Sequence, residues 1–214
     1  MPPVNVKICG LTTVEAVQDT VAAGADYIGL VFFPKSPRNL DFDTAQRLAQ
    51  QVPSHVKTVA LMVNPSDDFL RELLEHVDVD ILQLQGSESA ERVREIKELS
   101  GKPVIKALGV SSQDDLATLE SYKGLADQIL LDAKAPKDAD RPGGNGASFD
   151  WSLLTDTSID VPWMLAGGLT IENVKEAITV SHARQVDVSS AVESAPGVKD
   201  KEKVRAFIAA AKSV

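Results

Sequence analysis

Residues 4–32 read VNVKICGLTTVEAVQDTVAAGADYIGLVF, and this stretch decides the fold. It begins with an apolar run, Val4–Cys9, and ends in a second one, Tyr27–Phe32. Between them, valines recur three or four positions apart, as on one face of a helix. Two short runs rich in β-branched residues on either side of a helical stripe are typical of a β–α–β unit with parallel strands.

The same unit recurs along the chain. The predicted strands are Val4–Cys9, Tyr27–Phe32, Val56–Val63, Ile81–Gln85, Pro103–Leu108, Gln128–Asp132, Pro162–Ala166 and Gln185–Ser189. Helical stripes follow most of them, with a weaker fifth segment at Ser112–Tyr122 and only a short piece near Trp151–Leu154. Eight strand-then-helix units without a linker predict a single α/β domain over residues 1–214, a (β/α)8 TIM barrel.

An open doubly wound sheet is the alternative architecture. Such a sheet more often stops at five or six strands, and its dinucleotide-binding form carries a G-x-G-x-x-G turn. The glycine cluster here, Gly143-Gly144-Asn145-Gly146, does not match that pattern and follows a loop. The barrel is therefore the favoured prediction.

Composition excludes several classes of function. The 214 residues include 22 Lys and Arg against 31 Asp and Glu, for a net charge of −9, and a single cysteine. Nucleic-acid binding needs a basic surface, which this sequence lacks, and one thiol cannot form an internal disulfide. The apolar runs are far shorter than the ~20 residues of a membrane span. We therefore expect a cytoplasmic protein with no nucleic-acid or membrane partner.

Polar residues at the carboxyl ends of the strands mark the expected site, because barrel interiors are otherwise packed with apolar side chains. Strand alternation turns Lys7 and Cys9 toward the barrel axis in the first strand and Asp132 in the sixth. A thiol and a carboxyl group at two strand ends are suited to act as general base and general acid. We also expect inward side chains at Gln83, Gln85, Lys106, Asp187 and Ser189.

Ordinary structural roles are the alternative for each of these residues. A lone cysteine is most often a small buried apolar residue, and a strand-ending aspartate is often a turn former. Lys7 and Lys106 are then interior charges paired with carboxylates such as Asp187. In either role, a lysine ammonium group near Cys9 favours the thiolate form of its side chain.

The last two strand ends predict a phosphate site. Gly167 and Gly168 follow the seventh strand, and Ser189 and Ser190 end the eighth. Barrels often bind phosphate in these two loops, where backbone N–H groups approach the anion closely. A simple strand-to-helix turn is the alternative explanation of the glycines. Because the protein carries a net negative charge, these backbone N–H groups must provide the attraction for the phosphate.

Two other loops carry candidate features. Arg38, after the second strand, offers a guanidinium that we expect to be exposed and able to bind a substrate carboxylate. The proline-rich surroundings are equally typical of a stiff surface loop. Residues Lys134–Ser148 have the composition of a lid or of a plain insertion.

The ordered set of motifs resembles the phosphoribosylanthranilate isomerase family of tryptophan biosynthesis over essentially the whole chain. The motifs are Lys7–Thr12, Ser36-Pro37-Arg38, Gln83–Gly86, Leu131-Asp132, Gly143–Gly146 with Phe149–Trp151, Ala166–Leu169, Val186–Ser190, Glu193 and Pro196–Asp200. The resemblance implies an Amadori rearrangement of N-(5-phosphoribosyl)anthranilate, a small-molecule substrate, without metal or organic cofactor.

The resemblance also implies roles for particular residues. Asp132 is implied to protonate the furanose ring oxygen, and Cys9 to remove the proton from C2′. Substrate contacts are expected from Arg38, Gln85 and Asp187, with Arg38 holding the anthranilate carboxylate. Phosphate contacts are expected from Gly143, Gly144, Gly167, Gly168, Ser189 and Ser190. The assembly is expected to be a monomer or a homodimer.

Two positions depart from the family pattern. Gln85 stands where the family commonly has a histidine, and Ala191 where it has a glycine. An amide donates hydrogen bonds but carries no charge near neutral pH. The remaining alternatives are a histidine-pathway or dual-substrate isomerase, which uses an aspartate at the position of Cys9, and a binding barrel that has lost catalysis.

Overall fold

The computed structural model describes residues 3–135, 148–155 and 157–214. Its centre is a closed barrel of eight parallel strands in sequence order, so the TIM-barrel prediction is confirmed. The barrel strands are β1 (Asn5–Cys9), β2 (Tyr27–Phe32), β3 (Lys57–Met62), β4 (Ile81–Leu84), β5 (Val104–Val110), β6 (Gln128–Ala133), β7 (Trp163–Leu165) and β8 (Gln185–Val188). Pairing of β1 with both β2 and β8 closes the barrel.

Helices follow the strands and cover the barrel. They are α1 (Val14–Ala22), α2 (Phe42–Ala49), α3 (Asp67–His76), α4 (Ala90–Ser100), α5 (Gln113–Leu116), α6 (Val174–Ser181) and α7 (Lys201–Lys212). Five of them begin at a side chain that accepts a hydrogen bond from the backbone N–H three residues later, which satisfies one of the free donors of the first turn. These capping residues are Thr13, Asp41, Ser66, Ser89 and Asp200.

Strand alternation divides the apolar residues into two clusters. A small cluster fills the barrel interior and consists of Val59, Ile81, Ile105, Ala107, Leu130, Met164 and Ala166, with Tyr27 against it. The larger cluster lies between the strands and the helices and includes Val6, Ile8 and Phe207. Because the interior cluster is small, polar side chains complete the upper part of the barrel, where the candidate site lies.

The two weak segments are short helices, as their patterns indicated. After the four-residue α5, the chain continues as a 3₁₀ helix, Ala117–Tyr122, and a second 3₁₀ helix spans Trp151–Leu154. A small antiparallel hairpin that was not predicted follows β8 and is formed by β9 (Glu193–Ala195) and β10 (Val198–Lys199). Strands of two or three residues are too short to show a period of two.

Parts of the expected site lie outside the described residues. These include Gly143 and Gly144 and most of the proposed lid at Lys134–Ser148. Within the described ranges, no helix is long and apolar enough to cross a membrane.

Candidate active site

Cys9 ends β1 inside the barrel, as the alternation predicts. The residue is 4% exposed, and Lys7, two positions earlier on the same face, is fully buried. Gly29 of β2 lies beside Cys9 in register, and a Cβ added there would come within 2.8 Å of the Cys9 Sγ. A glycine at this position therefore gives the sulfur its space in the barrel.

Lys7 pairs with Asp187 of β8. Its Nζ donates a hydrogen bond of 2.8 Å to Asp187 Oδ1, which confirms the partner expected from the sequence. Burial alone would lower the pKa of Lys7, but the charges of Asp187 and Cys9 raise it above its ordinary value. The ammonium is thus held in its charged form at the upper end of the barrel.

The Cys9 thiol has a raised pKa in this environment. Burial is the largest cause, and the Asp187 carboxylate adds to it, while Lys7 and Lys199 act in the opposite direction. The expectation that a nearby ammonium favours the thiolate is therefore correct in direction, but desolvation outweighs the effect. Neutral thiol is the main form of Cys9 near pH 7.

Asp132 lies on the inner face of β6, in register with Gly109 of β5. Its Oδ2 accepts a hydrogen bond of 3.0 Å from Gln85 Nε2. Burial and the charge of Asp187 raise its pKa to about 7, against the lowering effects of the Ala133 backbone, Gln85 and Lys7. A carboxyl group with such a pKa is protonated to a large extent at neutral pH, as a general acid must be.

One ion pair acts on both candidate catalytic groups. The charges of Lys7 and Asp187 shift the pKa of Cys9 and also that of Asp132. Because such influence requires short separation in a protein interior, thiol and carboxyl group share one end of the barrel. The structure thus brings together four of the predicted site residues, namely Cys9, Asp132, Asp187 and Gln85.

Arg38 corrects an expectation. Its guanidinium is not exposed, since the residue is only 5% accessible and makes two hydrogen bonds to Glu193, from Nε to Oε1 at 2.6 Å and from Nη2 to Oε2 at 2.8 Å. Gly10 leaves the space for this side chain, because a Cβ there would overlap with Arg38 Cδ. The arginine is therefore fixed in orientation before any ligand binds.

Lys199 links this pair to the end of β8. Its Nζ donates to Glu193 Oε1 at 2.8 Å, to the Ser189 carbonyl at 2.9 Å and to Ser189 Oγ at 3.3 Å. The Ser189 hydroxyl in turn donates to the Cys9 carbonyl at 3.0 Å. The predicted phosphate-binding hydroxyl of Ser189 is thus already committed to hydrogen bonds within the protein.

The glycines after β7 have a structural reason as well. Gly167 and Gly168 both have positive φ values, 84° and 63°, and a Cβ on Gly167 would overlap with the Ala133 backbone nitrogen. The turn therefore lies directly against the end of β6. Within the described chain, the backbone N–H groups of Gly168 and Ser190 donate to no other residue, so both are free to bind an anion.

Lys106 corrects a second expectation, because it does not point into the barrel. Its neighbours Ile105 and Ala107 belong to the interior cluster, so Lys106 faces the helix layer. There its Nζ donates to Glu88 Oε2 at 2.8 Å and to the Gly86 carbonyl at 2.7 Å. Lys106 thus stabilises the loop after β4 and does not reach the site.

Comparison with known proteins identifies the family. The family model for N-(5'phosphoribosyl)anthranilate (PRA) isomerase matches residues 6–210. The chain belongs to this isomerase family. The N-(5'-phosphoribosyl)anthranilate isomerase of Paracoccus denitrificans is 55% identical over 208 residues, which cover 97% of both chains.

Solved structures of isomerases of this family have the same fold. The phosphoribosyl anthranilate isomerase of Thermotoga maritima superimposes with a TM-score of 0.89 at 39% identity, covering 99% of this chain and 100% of that one. Another isomerase structure, in complex with reduced 1-(o-carboxyphenylamino)-1-deoxyribulose 5-phosphate, gives 0.85 at 37% identity with the same coverage.

Sequence reasoning missed several contacts of this isomerase site. Glu193 and Lys199 appeared only within family motifs, and neither was predicted to pair with Arg38 or with each other. Glu88 was not identified as the partner of Lys106. Gln83 was predicted to face inward, but not to contact Gln85. Apart from the Gln83–Gln85 contact, each missed contact joins two segments whose spatial proximity no periodic pattern encodes.

Proposed function

We propose that this barrel converts N-(5-phosphoribosyl)anthranilate to 1-(2-carboxyphenylamino)-1-deoxyribulose 5-phosphate in tryptophan biosynthesis, with Asp132 as general acid and Cys9 as general base. Membership of the isomerase family supports the reaction. The observation that carries the residue roles is the raised pKa of Asp132, about 7, at the barrel end where the Lys7–Asp187 pair also acts on Cys9.

In the first step, Asp132 donates its proton to the furanose ring oxygen. The ring C1′–O bond breaks, the anthranilate nitrogen supplies the electron pair, and a protonated Schiff base forms. The carboxylate that remains is stabilised by the Gln85 amide and by the Lys7 ammonium. A carboxyl group that holds its proton near pH 7 and then accepts a negative charge fits this step.

In the second step, the Cys9 thiolate removes the proton from C2′. The C–H electrons form the enolamine double bond and neutralise the iminium nitrogen, and the enolamine then tautomerises to the ketone. Lys7 and Lys199 stabilise the thiolate, although burial keeps the free thiol pKa high. The reactive state therefore has the proton on Asp132 and not on Cys9, a minor form in the free protein.

The substrate phosphate binds at the ends of β7 and β8 in this proposal. The free N–H groups of Gly168 and Ser190 support it, as does the proximity of that loop to Asp132 through Gly167 and Ala133. Backbone donors bind an anion without adding net charge. Ser189 contributes indirectly, because its hydroxyl connects Lys199 with the Cys9 carbonyl.

Arg38 is the proposed partner of the anthranilate carboxylate, through Nη1, the nitrogen outside its pair with Glu193. The bidentate pair orients the guanidinium plane, so that little side-chain entropy is lost when the ligand binds. The Thermotoga maritima relative is dimeric. For this chain, a monomer or homodimer in the cytoplasm stays a prediction.

The test follows the loss of anthranilate-type fluorescence from the substrate with wild type, Cys9→Ala and Asp132→Asn. Turnover by wild type with a ~10²–10⁴-fold lower kcat in each variant supports the assigned roles. Tight binding without turnover by wild type would instead favour a barrel that has lost catalysis. Turnover of the histidine-pathway substrate would favour a dual-substrate isomerase.

A further inference from the structure

Two glutamine side chains connect β4 to Asp132 through consecutive hydrogen bonds. Gln83 Nε2 donates to Gln85 Oε1 at 2.7 Å, and Gln85 Nε2 donates to Asp132 Oδ2 at 3.0 Å. The two glutamines are 1% and 9% exposed. Because Gln83 lies in β4 and Gln85, two positions later, directly follows it, both face the barrel interior.

The first hydrogen bond fixes the orientation of the second amide. A glutamine amide has one acceptor oxygen and one donor nitrogen, so when Gln83 occupies the oxygen, the Gln85 nitrogen turns toward Asp132. Gln83 Oε1 is itself buried and has no hydrogen-bond partner among the described residues. The fold thus leaves one buried acceptor unsatisfied while the Gln83 donor binds Gln85.

We propose that Gln83 and Gln85 are positioning residues that place the proton of Asp132 on Oδ1, the oxygen not bound to Gln85, so that it faces the substrate. The inference deepens the proposed function and rests on it. Oδ2 accepts from Gln85, and a proton on Oδ2 would meet the amide N–H. An oriented Oδ1–H is therefore ready for transfer to the ring oxygen.

The Ala133 backbone N–H is a second hydrogen-bond donor to the Asp132 carboxyl group, whereas the charged side chains around it act through charge and not through direction. Asp187 from β8 and Lys7 from β1 act on its carboxyl group in opposite senses. On the flanking strands, Lys106 of β5 is turned outward to Glu88, and β7 contributes the apolar Met164 and Ala166. Among the described side chains around Asp132, Gln85 is thus the uncharged group that donates a hydrogen bond to its carboxyl group.

The substitutions that test the proposal are Gln85→Met and Gln83→Met, which keep the volume but remove the amide. In Gln85→Met the carboxylate loses a donor, so the pKa of Asp132 rises. We expect a shift of about 1 pH unit and a kcat about tenfold lower, with little change in KM. Gln83→Met frees the Gln85 amide to rotate, so a smaller shift in the same direction is expected.

Two measurements report these effects. Carboxyl ¹³C NMR of the ligand-free protein, with the Asp132 signal assigned by its absence in Asp132→Asn, gives the shift without any assay of turnover. The pH dependence of kcat/KM gives it a second time. The matched control is Gln185→Met. Gln185 is also buried but lies at the first residue of β8, so this substitution should leave the Asp132 titration and the pH dependence of kcat/KM unchanged.

Rescue distinguishes positioning from packing. Gln85→His restores an N–H donor and should recover kcat to within about threefold of wild type, whereas Gln85→Asn, too short to reach Asp132, should behave like Gln85→Met. An unshifted Asp132 titration in Gln85→Met, or in Gln85→Asn if the former does not fold, overturns the inference. A wild type without turnover overturns the proposed function, and the NMR titration still decides the positioning.

Discussion

The Lys7 ammonium and the Asp187 carboxylate form a buried ion pair 2.8 Å long that acts on both groups assigned to proton transfer. The pair belongs to adjacent strands, β1 and β8, where Lys7 and Asp187 are partners in register. Its two charges act with opposite sign on Cys9 and on Asp132. The protonation states of acid and base are therefore coupled through one fixed element of the barrel.

The first prediction concerns the pH dependence of kcat/KM. The reactive form, with its proton on Asp132 and not on Cys9, is a minor tautomer of the protein that has lost one of the two protons. Loss of the first proton, with a pKa of about 7, therefore populates this form, and loss of the second, as the thiol ionises, removes it. Activity should rise with pH up to about 7, remain level, and fall as the Cys9 thiol ionises.

The control uses the single cysteine of the chain. Thiolate absorbance in the ultraviolet belongs to Cys9 alone and should titrate together with the falling limb. A thiol that ionises below pH 7 would contradict this assignment of the two limbs.

The second prediction is that Asp132→Asn increases stability while it removes activity. The folded-state pKa of Asp132 lies above its ordinary value of 3.8, so the carboxyl group favours folding below that pH and loses this contribution as the pH rises to about 7. An asparagine oxygen still accepts from Gln85 but does not ionise. Urea unfolding should show that the gain in stability is larger at pH 8.5 than at pH 5.5, by about 2 kcal/mol. A gain independent of pH would argue against the raised pKa.

The third prediction concerns Glu193, which pairs with both Arg38 and Lys199 inside the protein. Glu193→Gln leaves two buried cations without their carboxylate and should reduce the free energy of unfolding by about 3–5 kcal/mol. Lys123→Met, which removes an exposed ion pair with Asp160, is the control and should cost less than about 1 kcal/mol. If urea unfolding showed equal losses of stability in the two variants, the ion pairs of Glu193 with Arg38 and Lys199 would not form a buried network.

The fourth prediction concerns the space around the sulfur. In Gly29→Ala the new methyl group would meet Cys9 Sγ at 2.8 Å and Cys9 Cα at 3.0 Å, so the thiol must move. We expect kcat to fall at least tenfold, since small displacements of a catalytic group are costly. The loss of stability should be smaller in the Cys9→Ala background, and a double-mutant cycle by thermal unfolding measures this. Additive effects would show that Gly29 does not contact the sulfur.

Much of the barrel was predictable because its signals are local. Alternation within a strand placed Cys9, Asp132 and Gln85 on the inner face, and the structure agrees. The inward orientation expected for Lys106 was wrong, because Lys106 alternates with Ile105 and Ala107, which face the interior, and shares the outer face with Val104 and Leu108. The burial of Arg38 depends on Glu193, which lies 155 positions away in the chain, and on the space at Gly10, so no local pattern encodes it.

Desolvation was the other effect that the sequence did not reveal. An ammonium two residues from Cys9 favours a thiolate when only charge is considered, but desolvation at the barrel end raises the thiol pKa overall. Desolvation also raises the pKa of Asp132, which a sequence motif cannot show. Both shifts depend on how many atoms surround each group, and this is a property of the closed barrel.

The most direct test of the two catalytic roles is a crystal structure of the wild-type protein with reduced 1-(o-carboxyphenylamino)-1-deoxyribulose 5-phosphate. We predict that Cys9 Sγ lies about 3.5 Å from C2′ and Asp132 Oδ1 within hydrogen-bond distance of the sugar oxygen derived from the ring, on the other side of the pentose. A complex with both groups on one side of the sugar, or with the sulfur out of contact with C2′, would contradict the account.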